Sequence, residues 1–117
     1  MNATRISNLC LLLDRQRIHV VAAVMSMFPE WQAWNRKHFS RYFEVFLDVP
    51  METLYARELK GLYHAFNDGK LTQVVGVDIP FPRPVCPDLI IDNTLDLPDP
   101  SVLADRILAA MPPLSAP

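Results

Sequence analysis

Residues 18–24 read Ile-His-Val-Val-Ala-Ala-Val, an almost continuous apolar run that is rich in β-branched side chains and lacks polar alternation. Such a run is typical of a strand that is covered on both faces, as the strands of a parallel sheet are. Residues 43–49 (Phe-Glu-Val-Phe-Leu-Asp-Val) and 89–92 (Leu-Ile-Ile-Asp) predict two more strands. We therefore expect a sheet of about three strands.

Helical patterns alternate with these strands. Apolar residues recur at helical spacing in residues 4–16 and 101–111. Pro29 and Glu30 open a further predicted helix over residues 30–38, and residues 51–59 form another after Pro50 ends the second strand. Residues 61–66 predict a further short turn of helix, and Ser101 is the expected N-cap of the last helix. The alternation predicts one α/β domain over residues 1–111, with right-handed crossovers and a parallel sheet. Its first predicted element is a helix that enters a strand directly, so the sheet looks as if its beginning is missing.

The connection between the last two predicted strands is long and rich in proline. Pro80, Pro82, Pro84 and Pro87 exclude a helix or a central strand there. Long connections of this kind are usually lids or binding loops, so we expect residues 60–88 to form a lid that is the most mobile part of the chain apart from its ends. Residues 112–117 hold three more prolines and predict a flexible tail.

The composition excludes several classes of function. The chain has three glycines, at spacings of eight and seven residues, so neither G-x-x-x-x-G-K-[ST] nor G-x-G-x-x-G occurs. A formal net charge of −2 provides no global basic field for nucleic acid or an anionic membrane. The longest apolar run is far shorter than the ~20 residues of a membrane span. Cys10 and Cys86 form no zinc-type cluster and are expected to be buried or partly buried free thiols in a reducing cytoplasm.

Cationic side chains are concentrated in the first half of the sequence. Residues 1–60 carry eight Lys/Arg against six Asp/Glu, whereas residues 61–117 carry three against seven. We therefore expect an anion site to draw on the first half. Arg57 and Lys60, followed by Gly61, suit the binding of phosphate or sulfate, although Lys60 could instead complement a helix dipole.

Other polar and aromatic residues allow two interpretations each. Ser26 follows the first predicted strand, where it could cap the next helix or touch a ligand. Asp48 and Asp92 end predicted strands, a weak signal for which turn-capping is the favoured interpretation. Trp31 and Trp34 lie three residues apart, which favours one apolar helix face over a base-stacking platform.

Several segments together resemble the adenylylsulfate kinase family. They are Phe-Glu-Val-Phe-Leu-Asp (43–48), Ala-Arg (56–57), Lys-Gly-Leu-Tyr (60–63), Gly-Val-Asp (76–78) and Pro-Asp-Leu-Ile-Ile-Asp (87–92). The family runs F-E-V-F/Y-L-D, A-R-D-P-K-G-L-Y, G-E-I-K-N-F-T-G-I-D and P-E-L-V-L-D in the same order. Residues 2–6 are similar to the family's N-x-R-R-I, so the resemblance spans residues 2–110. Val-Val-Gly-Val-Asp-Ile-Pro (74–80) resembles a shorter bacterial branch.

The resemblance implies an enzyme that uses ATP and Mg²⁺ to phosphorylate the 3′-hydroxyl of adenylyl sulfate, giving PAPS in sulfate assimilation. It also implies a P-loop kinase fold with a five-stranded parallel sheet, of which this chain is the N-terminally incomplete remainder, the C-terminal two-thirds. The first strand, the Walker A loop and the second strand with its D-x-D-N segment have no counterpart here. No catalytic residue and no metal ligand is therefore assigned, and we expect the chain alone not to transfer phosphate.

The first part of the chain contributes three substrate-binding positions by this resemblance. Asn2 matches a substrate-contacting asparagine of the family. Met25 and Ser26 match the Ile-Ser of its I-S-P motif, in which Met27 replaces the proline.

The second part contributes the remaining positions. Arg57 matches a lid arginine that faces ATP, and Lys60 matches a substrate-binding lysine. Val74 and Val75 stand where the family has Phe-Thr, so the ring that stacks on the substrate adenine is absent.

Two further interpretations stay open. The chain could be non-catalytic, either a fragment or a partner subunit that completes another chain's sheet, as a homodimer or with a complementing N-terminal chain. It could also belong to a kinase of the same fold that acts on a different small metabolite, because Thr72 and Val74 depart from the family pattern. The expected partners are adenylyl sulfate or a related nucleotide, with no nucleic acid and no membrane.

Overall fold

The computed structural model describes residues 2–26, 28–57, 61, 65, 67–70, 72, 74, 79–95 and 99–113. In chain order these residues form α1 (Asn2–Arg15), α2 (Pro29–His38), β1 (Val45–Asp48), α3 (Met51–Arg57), β2 (Leu89–Asp92) and α4 (Pro100–Ala110). The predicted α/β class and parallel sheet are confirmed, and the bounds agree with the sequence patterns to within about two residues. The predicted turn of helix at 61–66 falls largely outside the described residues.

The two strands lie side by side and run parallel. Val45 pairs with Leu89 at one end and Asp48 pairs with Asp92 at the other. Ile91, in the middle of β2, is the one apolar side chain that is fully buried among the described residues. A 40-residue crossover therefore brings the carboxyl ends of both strands, and their two aspartates, to the same edge.

Residues 18–24 are not a strand, and this prediction was wrong. Residues 18–26 have no regular secondary structure, and Val21 is 99% exposed. The physical reason lies in hydrogen bonding, because a strand is stable only beside a neighbour that offers its N–H and C=O groups. β1 pairs with β2, and no described residue pairs with residues 18–24. The described sheet thus has two strands instead of about three.

The turn after α1 holds an unusual backbone conformation. Arg17 has a φ of 61°, in the left-handed region that residues other than glycine rarely adopt. The N–H of Ile18 donates to the C=O of Leu13 at 3.0 Å, which closes the last turn of the helix. Asp14, near the same end, accepts hydrogen bonds from the backbone N–H and the hydroxyl of Ser40. These contacts fix α1 against the end of α2.

Side chains of α2 secure the irregular segment before it. Ser26 does not cap α2, whose N-cap is Phe28 with no side-chain hydrogen bond. Instead, the Nε2 of buried Gln32 donates to the backbone oxygen and the hydroxyl of Ser26, each at 3.2 Å. The ring centroids of Trp31 and Trp34 lie 5.4 Å apart, as expected for two side chains on one helix face.

Two smaller sequence predictions also need correction. The N-cap of α4 is Asp99, whose carboxylate accepts from the N–H of Ser101 at 2.9 Å, because Pro100 already occupies the first helical position. Cys86 is exposed, whereas Cys10 is partly buried, and both are free thiols.

Much apolar surface of this chain faces outward. The accessible surface is 8835 Å², whereas a compact monomer of 13.3 kDa exposes about 6500 Å². The radius of gyration is 16.3 Å, compared with about 13 Å for a compact domain of this length. On α1, Leu9 and Leu12 are more than half exposed.

In the part of the chain that is described, no helix combines the length and apolarity needed to span a membrane.

Candidate functional site

The carboxyl edge of the sheet carries an open cavity of about 440 Å³. Its walls come from the ends of both strands, from the start of α3 and from the proline-rich connection. Asp48 and Asp92 end β1 and β2 in register, and the N–H of Asn93 donates to the C=O of Asp48 at 3.0 Å. Ligands of open parallel sheets bind at this edge, which makes the cavity the candidate site.

Arg83 reaches the cavity from the proline-rich connection. Its two terminal nitrogens donate to the two carboxylate oxygens of Asp48, at 3.1 and 2.5 Å. Its guanidinium carbon also lies 5.1 Å from the centroid of the Phe46 ring, within the range of a cation–π contact. The Arg83 side chain is 64% exposed and the Asp48 side chain 34%, so water screens this ion pair.

Asp92 forms a tight turn at the other strand end. Its Oδ1 accepts from the hydroxyl and from the N–H of Thr94, the latter at 2.9 Å. The Thr94 side chain first, and its backbone N–H second, lower the pKa of Asp92 below its usual value. Asp92 is therefore ionised at neutral pH, and the turn-capping interpretation of this residue is confirmed.

Arg57, the last residue of α3, ties that helix to the loop after β2. Its guanidinium donates to the C=O of Asn93 at 2.6 Å and to the C=O of Thr94 at 2.8 Å. The same loop forms one wall of the cavity. Arg57 thus fixes the backbone of the rim at Thr94 without itself lining the cavity.

A second ionic cluster lies at the opposite ends of the strands. Arg36 of α2 donates to both carboxylate oxygens of Asp88, at 3.1 and 2.9 Å, and to the C=O of Cys86. Asp88 also accepts from the N–H of Glu44 at 2.7 Å, and the hydrogen bond from Arg36 lowers its pKa. These bonds join α2 to the starts of β1 and β2. The cluster is therefore a structural clamp.

The remaining predicted site residues are spread over the chain. Asn2 begins α1 and is exposed, and Met25 is 68% exposed. Ser26 is held by Gln32, as described above. Val74 is half-buried, and its C=O accepts from the N–H of Ile79 at 3.2 Å. Lys60 and Val75 lie outside the described residues, so Arg57 is the predicted site residue that the described contacts bring to the carboxyl edge.

Sequence reasoning missed Arg83 and the cavity role of Asp48. Arg83 is the only Lys or Arg in residues 79–95, and it stands between two prolines that hold the backbone extended. A lone cation in an otherwise uncharged proline-rich segment was the signal that could have identified it.

Metal binding has little support within the described ranges. They contain no group of three or more His, Cys, Asp or Glu side chains that could hold a metal ion. Arg83 occupies the carboxylate of Asp48, and Thr94 occupies that of Asp92.

A parallel strand pair joined by a crossover that contains a helix, with a polar cavity at its carboxyl edge, is typical of α/β proteins that bind ligands at this edge. The family model described as adenylylsulphate kinase matches residues 1–92, which is most of this chain. The chain therefore belongs to the adenylylsulfate kinase family, whose members have a P-loop kinase fold.

Curated relatives include adenylyl-sulfate kinases and a cytidine diphosphoramidate kinase. The chain is 38% identical over 82 residues to the cytidine diphosphoramidate kinase of Campylobacter jejuni, covering 70% of this chain and 48% of that protein. It is 31% identical over 110 residues to the adenylyl-sulfate kinase of Marinobacter nauticus, covering 92% of this chain and 54% of that enzyme. The adenylyl-sulfate kinase of Chloroflexus aurantiacus is 31% identical over 111 residues, covering 94% of this chain and 58% of that enzyme. The chain thus spans about half the length of the curated relatives it matches.

Proposed function

We propose that this chain provides the acceptor-binding and lid portions of a nucleotide kinase that phosphorylates the 3′-hydroxyl of adenylyl sulfate. The observation that carries the proposal is the position of Arg83 in the wall of the cavity at the carboxyl edge, in a chain of this family, with Arg57 holding the backbone of the rim. Arg83 can offer a guanidinium fork to phosphate or sulfate oxygens, whereas the terminal nitrogens of Arg57 donate to the C=O groups of Asn93 and Thr94. An enzyme that consumes ATP implies a cytoplasmic location, which forms part of the proposal.

Each predicted site residue keeps its proposed role. Arg57 faces ATP from the rim of the cavity, where its hydrogen bonds to the loop after β2 hold that rim in place. Lys60 binds the acceptor. The acceptor site is completed by Asn2, Met25, Ser26, Val74 and Val75.

ATP is the proposed phosphoryl donor, and Mg²⁺ commonly bridges its phosphates in such reactions. The described residues do not fit a protein-held magnesium site, because no third His, Cys, Asp or Glu side chain among them joins Asp48 and Asp92. We therefore assign no step to a metal ion held by these residues.

The sequence contains no G-x-x-x-x-G-K-[ST] motif, so we expect the 117-residue chain to bind nucleotide without turnover. The decisive test is a chimera that adds the part of the Marinobacter nauticus kinase that this chain does not match. ADP release should be near background for the chain alone and should appear in the chimera when adenylyl sulfate is added.

Lys60→Ala and Lys70→Ala are the matched variants for this test. Lys70 is exposed and pairs with Asp68 in a local turn, so its loss should leave ADP release unchanged. Lys60→Ala should abolish acceptor-dependent release and change the free energy of unfolding by under about 1 kcal/mol. A large loss of stability with intact anion binding would show that Lys60 is structural. Turnover by the unmodified chain well above background would refute its inactivity.

A cytidine nucleotide is a second candidate acceptor. The relative from Campylobacter jejuni is named as a cytidine diphosphoramidate kinase and is 38% identical over the matched residues. Val74 also lacks the ring with which the family pattern stacks on adenine, so a smaller pyrimidine loses less contact here than a purine does. Calorimetric titration of the chimera with adenylyl sulfate and with CDP separates the two acceptors.

The exposed segment 18–25 favours a third candidate, in which the chain completes the sheet of another chain. Val21, Val24 and Met25 are each more than half exposed, and an apolar surface of this kind marks an interface. The partner would be a second copy or a complementing N-terminal chain. Light scattering that shows a monodisperse monomer, with one cooperative thermal transition, would count against this candidate.

A further inference from the structure

Arg83 and Asp48 form an ion pair in which a ligand anion could replace the Asp48 carboxylate. The pair is bidentate, yet water reaches 64% of the arginine side chain and 34% of the aspartate side chain. Exposed ion pairs of this kind contribute little to stability. A ligand that offers two anionic oxygens in the same plane can therefore replace the carboxylate without a large penalty.

The aromatic ring beneath Arg83 keeps the guanidinium at the cavity when the carboxylate leaves. Phe46 lies in β1, two residues before Asp48, and its ring centroid is 5.1 Å from the guanidinium carbon. The ring contacts the cation, while the terminal nitrogens donate to Asp48, which lines the cavity. Pro82 and Pro84 restrict the backbone on either side of the arginine. The side chain is thus directed to the cavity by two features that do not depend on Asp48.

We propose that Arg83 is an anion-binding residue of the carboxyl edge, and that Asp48 is its internal competitor until phosphate or sulfate oxygens of a ligand replace it. The nucleotide identity of that ligand rests on the proposed function, whereas the anion site does not. Asp48 and Asp92 repel every anion, so the site favours a ligand whose two oxygens engage the guanidinium strongly enough to offset that repulsion.

Asp48→Asn is the variant that distinguishes this arrangement from the alternatives. Removing the carboxylate releases Arg83 and also removes one repelling charge, so an anion should bind more tightly. If Asp48 instead contacted the ligand directly, through a hydroxyl or a metal ion, the same substitution would weaken binding. The two hypotheses therefore predict opposite signs.

The experiment is isothermal titration calorimetry of the full chain with pyrophosphate, ADP and adenosine. Asp48→Asn should raise the affinity for pyrophosphate by about five- to tenfold, and Arg83→Ala should lower it by about tenfold or more, which is the scale of one charge-assisted pair. Adenosine carries no anion, so its binding should be unchanged in both variants. Arg106→Ala, on α4, is the matched control and should leave every affinity unchanged.

Arg83→Lys keeps the positive charge and an aliphatic chain, so it should bind pyrophosphate with intermediate affinity. This variant tests the proposal if Arg83→Ala does not fold. Equal losses in Arg83→Ala and Arg106→Ala, weaker binding by Asp48→Asn, or no pyrophosphate binding by wild type and Asp48→Asn would each overturn the proposal. If ADP binds tightly and Arg83→Ala leaves its affinity unchanged, the anion site is refuted, whereas the proposed function is not. Arg83-dependent binding of pyrophosphate, with no preference for ADP, would support the anion site and count against the nucleotide function.

Discussion

Replacing Asp88 with alanine should remove the clamp that joins α2 to the starts of both strands. The carboxylate accepts two hydrogen bonds from Arg36 and one from the N–H of Glu44. The Arg36 side chain is 38% exposed, so screening limits the ion pair to about 1 kcal/mol. The N–H of Glu44 loses a charged acceptor, which costs about 1 kcal/mol more. We expect the free energy of unfolding to fall by about 2 kcal/mol in total.

The assay is urea denaturation followed by circular dichroism, with thermal melting as a second measurement. A loss of about 2 kcal/mol corresponds to a decrease in Tm of about 6–10 °C in a domain of this size. Asp88→Asn should lose about half as much, because its amide oxygen still accepts from the N–H of Glu44. Asp105→Ala, on the exposed face of α4, is the control. If Asp88→Ala costs no more than Asp105→Ala, the clamp reasoning is refuted.

The clamp also predicts how stability depends on pH. The hydrogen bond from Arg36 holds the pKa of Asp88 below its usual 3.8 in the folded protein. The contribution of Asp88 is therefore fully present above about pH 4 and is lost as the pH falls through the lower folded-state pKa. The difference between wild type and Asp88→Ala should shrink over that acidic window and stay constant between pH 5 and 8. A difference that grows on acidification would contradict the assignment.

Three more outcomes are expected. Arg17→Gly should raise the free energy of unfolding by about 0.5–1 kcal/mol, because glycine adopts the φ of 61° without strain. Arg15→Gly, inside α1, is the control and should lower the free energy of unfolding by about 1 kcal/mol, as measured by urea denaturation. Gln32→Met should speed tryptic cleavage after Arg17 without a matching change in Tm, because the amide that holds Ser26 is lost; unchanged cleavage would show that Ser26 is held by other contacts. Burial, and then a neighbouring glutamate, raise the pKa of Tyr42 to about 12, so an ultraviolet titration should show Tyr42 ionising late. The stability that its neutral phenol provides is present below about pH 10 and lost as the pH rises towards 12, and Tyr42→Phe should abolish that loss.

Local patterns predicted the helices and two of the strands well. Leu-Ile-Ile-Asp at 89–92 is a strand with the predicted bounds, because Ile91 is buried and a partner strand lies alongside. Residues 18–24 have an even stronger strand pattern and form none. The pattern reports the preference of the side chains, whereas strand formation also needs a hydrogen-bonding neighbour, which a local segment cannot reveal.

The candidate site was predictable only in part. The resemblance singled out Arg57 as a lid arginine, and its guanidinium donates to the loop after β2. Its contact with ATP stays a prediction. The charge distribution pointed to the first half of the chain for anion binding, yet Arg83 comes from the acidic second half. Forty residues of crossover bring its connection back to the end of β1, and such a long-range approach leaves no periodic signal in the sequence. The pairing of Asp48 with Arg83 belongs to the same class of non-local information.

The parallel register of β1 and β2 also sets how the length of the connection between them can vary. Val45 pairs with Leu89, 44 residues later, so the sheet forms only after a long loop has closed. The entropy of closure grows with the logarithm of loop length, and even doubling it adds only about 0.6 kcal/mol. Insertions or deletions between α3 and the clamp at Asp88 therefore change the thermodynamics of the sheet very little. Lys60, Val74 and Val75, three of the residues proposed to bind the acceptor, lie in this connection. The fold can therefore vary the length of this part of the site without rebuilding its core.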